Sequence, residues 1–465
     1  MENNGAVKLS IVPWISWHEY NISGALKVLI YNQREHVYYL LEHEDADLWH
    51  ALVCRNEEDH IILHSLQLLI EDGIILFSSD GLLNFEQSTE NKIIKSKTIP
   101  ESFYDELKSE GYIFDAHWDI TNKCNAKCIH CYNANAHNGL RNKNVNELSF
   151  DEAKKLIDDL HYLGVFRLVL SGGEVLTKDF FIPLCQYIRN YNIQLIIYTN
   201  GFAFTAQLLQ KLSQVYPSMI CFSLYGDTNH VHDSITQVDG AYAKLTSAVS
   251  YFRKNNIDTC CKNTLLRDNY HCWYNTLLRG NEIANKSMVN CTIYPSMDTG
   301  KLSKHILTED QLVELAMNPD SPIYYNRKIK GACNIHKDPK KTPCYNLTNT
   351  IYIDPEGCVC LCIAFPCVVA SVRNRDVKEL KRNKNFPTFK KDFEKLNGKE
   401  RLDNWRSLKI SDLQECGQQR YCDFCIDVCP GDAYLLTGDL LAAPENHCLI
   451  AEARYKAYLL NETDK

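Results

Sequence analysis

Residues 114–131 read FDAHWDITNKCNAKCIHC, a short apolar strand candidate that runs directly into three cysteines. The strand candidate is Phe114–Ile120, and the cysteines are Cys124, Cys128 and Cys131. Three thiol groups therefore share one short loop at the end of a strand. Because the thiolate is the form of cysteine that binds metal, this loop is a candidate metal site.

The loop stands at the start of a repeating strand–helix region. Short apolar strands alternate there with amphipathic helices, a pattern that indicates parallel βαβ units. The strand candidates are Phe114–Ile120, Phe166–Leu170, Ile193–Tyr198, Met219–Leu224, Thr259–Leu265 and Met288–Tyr294. The helix Ser149–Leu163 opens with a capping box, Ser149 followed by Glu152. Six units are too few for a closed eight-stranded barrel, so we predict an α/β fold with an open, partial (β/α)6 barrel.

The number of cysteines in the loop narrows the kind of metal site. A cubane cluster with three protein ligands keeps one iron open to a substrate or cofactor. Zinc sites and structural clusters normally take four protein ligands. The spacing of three and then two intervening residues also differs from the CxxC pairs that zinc favours. A zinc site and unligated buried cysteines remain the alternatives to an open cluster.

The C-x3-C-x2-C spacing, followed by Tyr132, resembles the motif of the radical SAM superfamily. The resemblance implies a 4Fe–4S cluster on Cys124, Cys128 and Cys131 whose open iron chelates S-adenosylmethionine. Reductive cleavage of that cofactor would give a 5′-deoxyadenosyl radical, while the protein supplies orientation and electronics. Many family members have an aromatic residue before the third cysteine. His130 stands there in this chain, and we expect its ring near the adenine.

Supporting motifs stand at the ends of the following strands. Ser171-Gly-Gly-Glu174 resembles the family's GGE motif, which contacts the methionine amino group. Glycines let the backbone approach a ligand closely, and a carboxylate pairs with an ammonium group. Thr199-Asn-Gly201 and Ser223-Leu-Tyr-Gly226 end the next two strands. The cofactor-binding residues that the resemblance implies are Gly172, Gly173, Glu174, Asn200, Ser223 and Lys262. Lys262 could contact the methionine carboxylate or could equally be a solvated lysine without a ligand.

Composition limits the compartment and the partners. The chain has 465 residues, a formal net charge of -8 and 21 cysteines. The negative charge argues against a broad nucleic-acid surface. The longest apolar run, Cys358–Ala370, is too short to cross a bilayer, and the first ten residues lack a secretory pattern. We therefore predict a cytoplasmic protein without nucleic-acid or membrane partners, whose cysteines are buried, catalytic or metal-bound.

Residues 333–465 are rich in cysteine and resemble a SPASM domain, which carries auxiliary iron–sulfur clusters in peptide- and protein-modifying radical SAM enzymes. Cys344, Gly357 and Cys362 fit the first part of that pattern. The second part is fitted by Cys416, Cys425, Cys429 and Cys448. Gln419 occupies a position where the family has cysteine, and Cys422 is the natural substitute.

By this resemblance the tail holds one or two auxiliary 4Fe–4S clusters. One would be bound by Cys333, Cys344, Cys362 and Cys429. The other would be bound by Cys416, Cys422, Cys425 and Cys448. The alternative is a zinc ribbon, because Cys422 and Cys425 form a CxxC pair.

Residues 1–98 contain strand and helix patterns followed by a polar stretch, Gln87–Thr98, that we interpret as a linker. Two strands, Leu26–Tyr31 and Val37–Leu41, precede helices near Ala46–Val53 and Ile61–Glu71. This order resembles the winged-helix element that binds leader peptides, which would add to an exposed strand at Tyr38–Leu41. A docking domain without its own ligand is an alternative. DNA binding is disfavoured because the second helix carries no lysine or arginine.

Together these features predict four regions. They are a recognition domain and linker at 1–98, the barrel at 112–300, a bridging region at 301–332 and the SPASM domain at 333–465. The predicted function is maturation of a ribosomally made precursor peptide by a thioether or carbon–carbon crosslink, with electrons from a flavodoxin or ferredoxin. Alternatives are a sulfatase-maturase-like side-chain oxidase and a non-catalytic iron–sulfur sensor. His232 and Asp233 are acid–base candidates, although an aspartate at a helix start is more often a cap.

Overall fold

A computed structural model gives the positions of most of the chain. The residues that it describes are 8–55, 66–78, 93–132, 146–293, 304–325, 338–344, 349–381, 389–413, 416 and 418–463. Cys333, residues 87–92 of the predicted linker and residues 61–65 of the second predicted front helix lie outside these ranges.

The front of the chain folds into two small antiparallel sheets with short helices. Its elements are β1 (Lys8–Ile11), β2 (Ile15–Ile22), β3 (Ala25–Asn32), β4 (Val37–Glu42), α1 (Glu44–His50), α2 (Gln67–Glu71), β5 (Ile75–Ser78), β6 (Ile94–Ser96) and α3 (Glu101–Ser109). Within the described residues, one sheet has the order β2–β3–β4–β6 and the other pairs β1 with β5. Strands β3 and β4 match the two predicted strands.

The prediction that Tyr38–Leu41 forms an exposed strand edge is wrong for most of its length. Strand β4 pairs with β3 on one side, and on the other side Tyr38–Leu40 pairs with β6. Strand β6 comprises three residues in a polar linker, too few to show a strand periodicity in the sequence. In the described part of the chain, the outer strands of this sheet are therefore β2 and β6.

The middle of the chain forms the predicted open barrel. Its elements are β7 (Asp115–Asp119), α4 (Phe150–Tyr162), β8 (Arg167–Ser171), α5 (Phe181–Asn190), β9 (Gln194–Thr199), α6 (Ala206–Val215), β10 (Met219–Ser223), α7 (Asn229–Thr236), α8 (Ala241–Lys254), β11 (Thr259–Thr264), α9 (Trp273–Ile283) and β12 (Lys286–Asn290). Strands β7 to β12 pair in chain order and are all parallel. Ser149 and Glu152 form the predicted capping box on α4.

The tail continues the barrel sheet. Its elements are α10 (Glu309–Met317), β13 (Thr350–Ile353), β14 (Cys358–Cys362), β15 (Phe365–Ser371), α11 (Gly398–Arg406), α12 (Pro430–Thr437) and α13 (Glu445–Thr463). Strand β13 pairs in parallel with β7, and β14 and β15 follow antiparallel, so nine described strands form one sheet. A turn joins β13 to β14, with Gly357 at φ +83° donating its N–H to the Asp354 carbonyl over 3.0 Å.

The front sheet and the barrel share an aromatic core. Tyr20, Phe103, Phe114 and Phe166 are buried in one cluster, and the Tyr20 hydroxyl donates to the Gly164 carbonyl over 3.0 Å. This packing covers the end of the barrel opposite to the cysteine loop, because Phe114 and Phe166 lie just before their strands begin. Among the helices described, none combines the length and the apolar character needed to span a membrane.

Candidate functional site

The cysteine loop begins directly after β7 and is held by backbone hydrogen bonds. The N–H groups of Lys127 and Ile129 donate to the carbonyls of Thr236 and Ile235, each over 3.0 Å. Both acceptors lie at the end of α7, which places the loop over the carboxyl ends of the barrel strands. Active sites of such folds lie at this end.

The Gly-Gly turn after β8 docks onto the same loop. Gly173 and Glu174 donate their N–H groups to the carbonyls of Thr121 and Lys123, each over 2.8 Å. Gly172 has φ +135°, and an added Cβ would lie 2.4 Å from the Thr121 oxygen. At Gly173 the added Cβ would lie 2.2 Å from the Lys123 oxygen. The two glycines therefore allow the turn to approach the cysteine loop itself, a contact that the sequence does not reveal.

A cavity of about 400 Å³ opens below the loop. The predicted site residues that line it are Cys124, Cys128, Cys131, Gly172, Gly173, Asn200 and Ser223. The cavity also reaches Ile363 and Ala364, which connect β14 to β15, and Leu435 on α12. The barrel and the tail thus contribute walls to one space.

Glu174 and Lys262 do not line this cavity. The Glu174 carboxylate is buried and accepts hydrogen bonds from the Thr199 hydroxyl and the Asn200 N–H, both over 2.7 Å. Burial raises the pKa of Glu174, although these hydrogen bonds oppose the shift. The Lys262 ammonium contacts the Tyr198 hydroxyl. Their roles toward the cofactor remain predictions.

The loop thiols fit an iron–sulfur cluster. Burial raises the pKa of Cys124 to about 11 and raises that of Cys128 further, so without metal both remain neutral thiols at neutral pH. Binding of iron would release their protons. Together with Cys131 they border an open cavity, and no other cysteine is among its lining residues in the described part of the chain. Three thiolates beside free space match a cluster with one exchangeable position.

Aromatic rings line the cavity beside the thiols. The His130 ring meets the Tyr225 ring edge-on at 4.7 Å, and burial lowers the pKa of His130 to about 4. His130 is therefore neutral at physiological pH. His232 accepts the Tyr225 N–H at Nδ1 over 3.1 Å, and Asp233 accepts the Gly240 N–H over 2.7 Å. Neither His232 nor Asp233 lines the cavity, and both hold local structure.

Comparison with known protein families agrees with this geometry. Residues 118–276, from β7 into α9, match the family model of the Radical SAM superfamily. Residues 118–276 are a radical SAM domain. The matched range contains the cysteine loop, the Gly-Gly turn and the ends of β8 to β11 that line the cavity.

The chain is similar to a heme synthase in sequence, and to SuiB and anSMEcpe in structure. An AdoMet-dependent heme synthase of Methanosarcina barkeri is 24% identical over 71% of this chain and 95% of that protein. SuiB of Streptococcus suis, solved with S-adenosylmethionine, has a TM-score of 0.55 at 13% identity and covers 94% of this chain and 99% of that chain. The structure of anSMEcpe with AdoMet and the Cp18Cys peptide has a TM-score of 0.52 at 13% identity. The match covers 76% of this chain and 98% of that chain. At this identity the structures establish the shared fold.

Outside the radical SAM domain, the tail brings three predicted ligands together. Burial raises the pKa of Cys362 to about 11, and the nearby Cys344 thiol adds to the shift. Burial also raises the pKa of Cys429, and the nearby Cys362 and Cys344 thiols raise it further. These three thiols thus lie within electrostatic range of one another, and Cys362 directly precedes the cavity residue Ile363.

A second set of tail cysteines surrounds a separate cavity of about 180 Å³. The cysteines that line it are Cys416, Cys422, Cys425 and Cys448, and Gln419 lines it as well. Burial raises the pKa of Cys425 to about 12 and of Cys448 to about 11. An enclosed space bordered by four thiols fits a cluster with four protein ligands.

No site for a single metal ion is found in the described part of the chain. Among the described residues, no three His, Cys, Asp or Glu side chains converge closely enough to hold one metal ion. In a 4Fe–4S cluster each iron takes its own thiolate, so the ligands stand further apart than around one zinc ion. The assignment of ligands to two auxiliary clusters remains a prediction.

Proposed function

We propose that this radical SAM enzyme matures a ribosomally made precursor peptide. The observation that carries the proposal is the single cavity that extends from Cys124 on the cysteine loop to Ala364 beside the tail thiol Cys362. A substrate held there would lie between the cofactor-binding loop and an auxiliary cluster. The two cysteine sets of the tail and the fold shared with anSMEcpe, solved with a bound peptide, support the same reading.

In the proposed reaction, Cys124, Cys128 and Cys131 would hold the cluster, and S-adenosylmethionine bound beside them would supply radical chemistry for removing hydrogen from a peptide carbon. Gly172, Gly173, Asn200 and Ser223 would orient the cofactor across the strand ends. The product would be a thioether or carbon–carbon crosslink, and an external flavodoxin or ferredoxin would deliver electrons. The front domain would bind the leader of the precursor, at an edge other than Tyr38–Leu40.

The test combines cofactor cleavage with peptide mass. The reconstituted protein should form 5′-deoxyadenosine after reduction, and short peptides encoded beside its gene should lose two hydrogens per crosslink on co-production. Cys124→Ala should abolish both results because it removes a cluster ligand. Cys185→Ala, at a buried position outside the cavities, is the matched control. Cofactor cleavage with unchanged peptide masses would contradict crosslinking.

A second candidate is modification of an iron porphyrin. The heme synthase relative aligns over 95% of its own length, which favours a tetrapyrrole substrate. Incubation with iron porphyrins under the same reducing conditions separates the two candidates. A change in porphyrin mass coupled to 5′-deoxyadenosine formation would favour this second function over the first.

A further inference from the structure

The interior face of β7 carries a histidine and an aspartate that the cofactor site does not use. His117 lines the cavity with its side chain 28% exposed, whereas the Asp119 side chain is 4% exposed. His117 Nε2 lies 3.3 Å from Asp119 Oδ1. Within the described residues, neither of these two buried atoms makes a hydrogen bond. Such buried polar atoms are costly unless function or a ligand explains them.

The other carboxylate oxygen of Asp119 is held by the tail. The Tyr352 hydroxyl on β13 donates to Asp119 Oδ2 over 2.8 Å. Burial, and then the charge of Asp119, raise the pKa of Tyr352 well above its usual value, so the phenol stays protonated and donates. The imidazole lies between two tyrosine rings, 5.9 Å from Tyr198 and 6.0 Å from Tyr352. These contacts hold the His117 ring at the cavity and the Asp119 carboxylate behind it.

This arrangement selects one form of the imidazole. A carboxylate facing Nε2 favours the tautomer with its proton on that nitrogen, which leaves the Nδ1 lone pair as the base. Catalytic hydrogen bonds are often long or poorly aligned until substrate binds, as the 3.3 Å separation between His117 and Asp119 is here. We propose that His117 accepts a proton from the peptide substrate, with Asp119 orienting His117 and Tyr352 orienting Asp119.

The inference rests on the proposed maturation reaction and accounts for the proton that this reaction releases. Crosslinking removes two hydrogens from the peptide, one as a hydrogen atom and one as a proton plus an electron. The hydrogen atom ends on 5′-deoxyadenosine, and the electron goes to an acceptor of the iron–sulfur class. The proton leaves the thiol or carbon that forms the new bond and goes to Nδ1 of His117. Neutral imidazole thereby becomes imidazolium, which the charge of Asp119 stabilises.

The test measures crosslinked peptide formed per 5′-deoxyadenosine. His117→Gln should lower this ratio about 100-fold, as expected for loss of a general base, while cofactor cleavage continues. Asp119→Asn should lower this ratio less than His117→Gln does, and Tyr352→Phe should lower it least. His271→Gln removes an exposed histidine outside the cavity and should leave the ratio unchanged. Without cofactor, His117→Gln should bind the peptide with an affinity within about twofold of wild type, because a general base acts in the chemical step and not in binding.

Chemical rescue separates a proton-accepting role from a structural one. Added imidazole should restore crosslinking to His117→Ala, because a small base can enter the space that the side chain leaves. An unchanged product ratio in His117→Gln, or failure of imidazole to rescue His117→Ala while its iron content stays normal, would overturn the inference. Absence of crosslinking by the wild-type protein would instead overturn the proposed function, and the inference with it.

Discussion

At the scale of single residues, Gly172 links the cofactor turn to the cysteine loop. Its φ of +135° already disfavours a side chain, and a Cβ would strike the Thr121 carbonyl. We predict that Gly172→Ala loses iron and 5′-deoxyadenosine formation, because the loop must move to admit the methyl group. Iron analysis and cofactor cleavage after reconstitution measure both effects.

Gly438 provides the matched control for this substitution. It also has a positive φ, +77°, but an added Cβ would meet no atom within 4 Å. Gly438→Ala should therefore cost about 1–2 kcal/mol of stability and keep the iron. Equal iron loss in the two variants would show that backbone strain, rather than contact with the cysteine loop, explains the effect.

Gln419 and Cys422 test which residue completes the second tail set. Both line the cavity with Cys416, Cys425 and Cys448. We predict that Cys422→Ala lowers the iron content by one cluster, whereas Gln419→Ala leaves it unchanged, because only a thiolate replaces the missing family ligand. Iron and sulfide analysis of the purified protein gives the answer. Zinc in place of iron at this set would favour the zinc ribbon instead.

At the scale of elements, two histidines join β2 to α4. His18 is buried, and its ring centroid lies 4.7 Å from that of His161. Burial, followed by the charges of His161 and Lys381, lowers the pKa of His18 well below 6.5. Burial also lowers the pKa of His161. Both rings are therefore neutral where the front sheet meets the barrel.

This contact predicts a loss of stability in acid. A histidine whose pKa is lowered in the folded state takes up protons preferentially in the unfolded chain, so its stabilising contribution is complete above pH 6.5 and falls below it. For His18 we therefore expect lower stability at pH 5 than at pH 7.5. Urea unfolding at pH 5 and 7.5 measures it. His18→Gln should flatten this dependence, and His271→Gln should not; equal slopes in all three proteins would contradict the prediction.

At the scale of the whole molecule, the front domain is part of the barrel's packing. Phe103, Phe114 and Phe166 are buried against Tyr20 and its neighbours. We predict that deletion of residues 1–95 gives aggregated protein and little cofactor cleavage, because it exposes aromatic side chains whose burial contributes ~1.5–3 kcal/mol each. Soluble yield and 5′-deoxyadenosine formation measure the effect. A soluble truncated protein with full cleavage would show that the barrel folds alone.

The sequence predicts features formed by residues close together in the chain, and it does not predict contacts between residues far apart in the chain. The barrel strands and the Ser149 capping box follow from patterns a few residues long, and the structure has them. Strand β6 carries too few residues for such a pattern. The bond between Tyr352 and Asp119 joins residues 233 positions apart, so no local pattern marks His117 as part of a site. The Gly-Gly turn was found from its motif, although its contact with the cysteine loop was not.

Because β13 lies far along the chain from β7, its pairing with β7 can form only late in synthesis. Strand β7 meets β8 soon after it is made, but its partner on the other side follows more than two hundred residues later. At translation rates of about 5–20 residues per second, this edge stays open for roughly 10–50 seconds. During that interval the nascent barrel is accessible from its β7 side. Iron–sulfur delivery to the first loop can therefore precede closure by the tail, and β7 is then most exposed to aggregation.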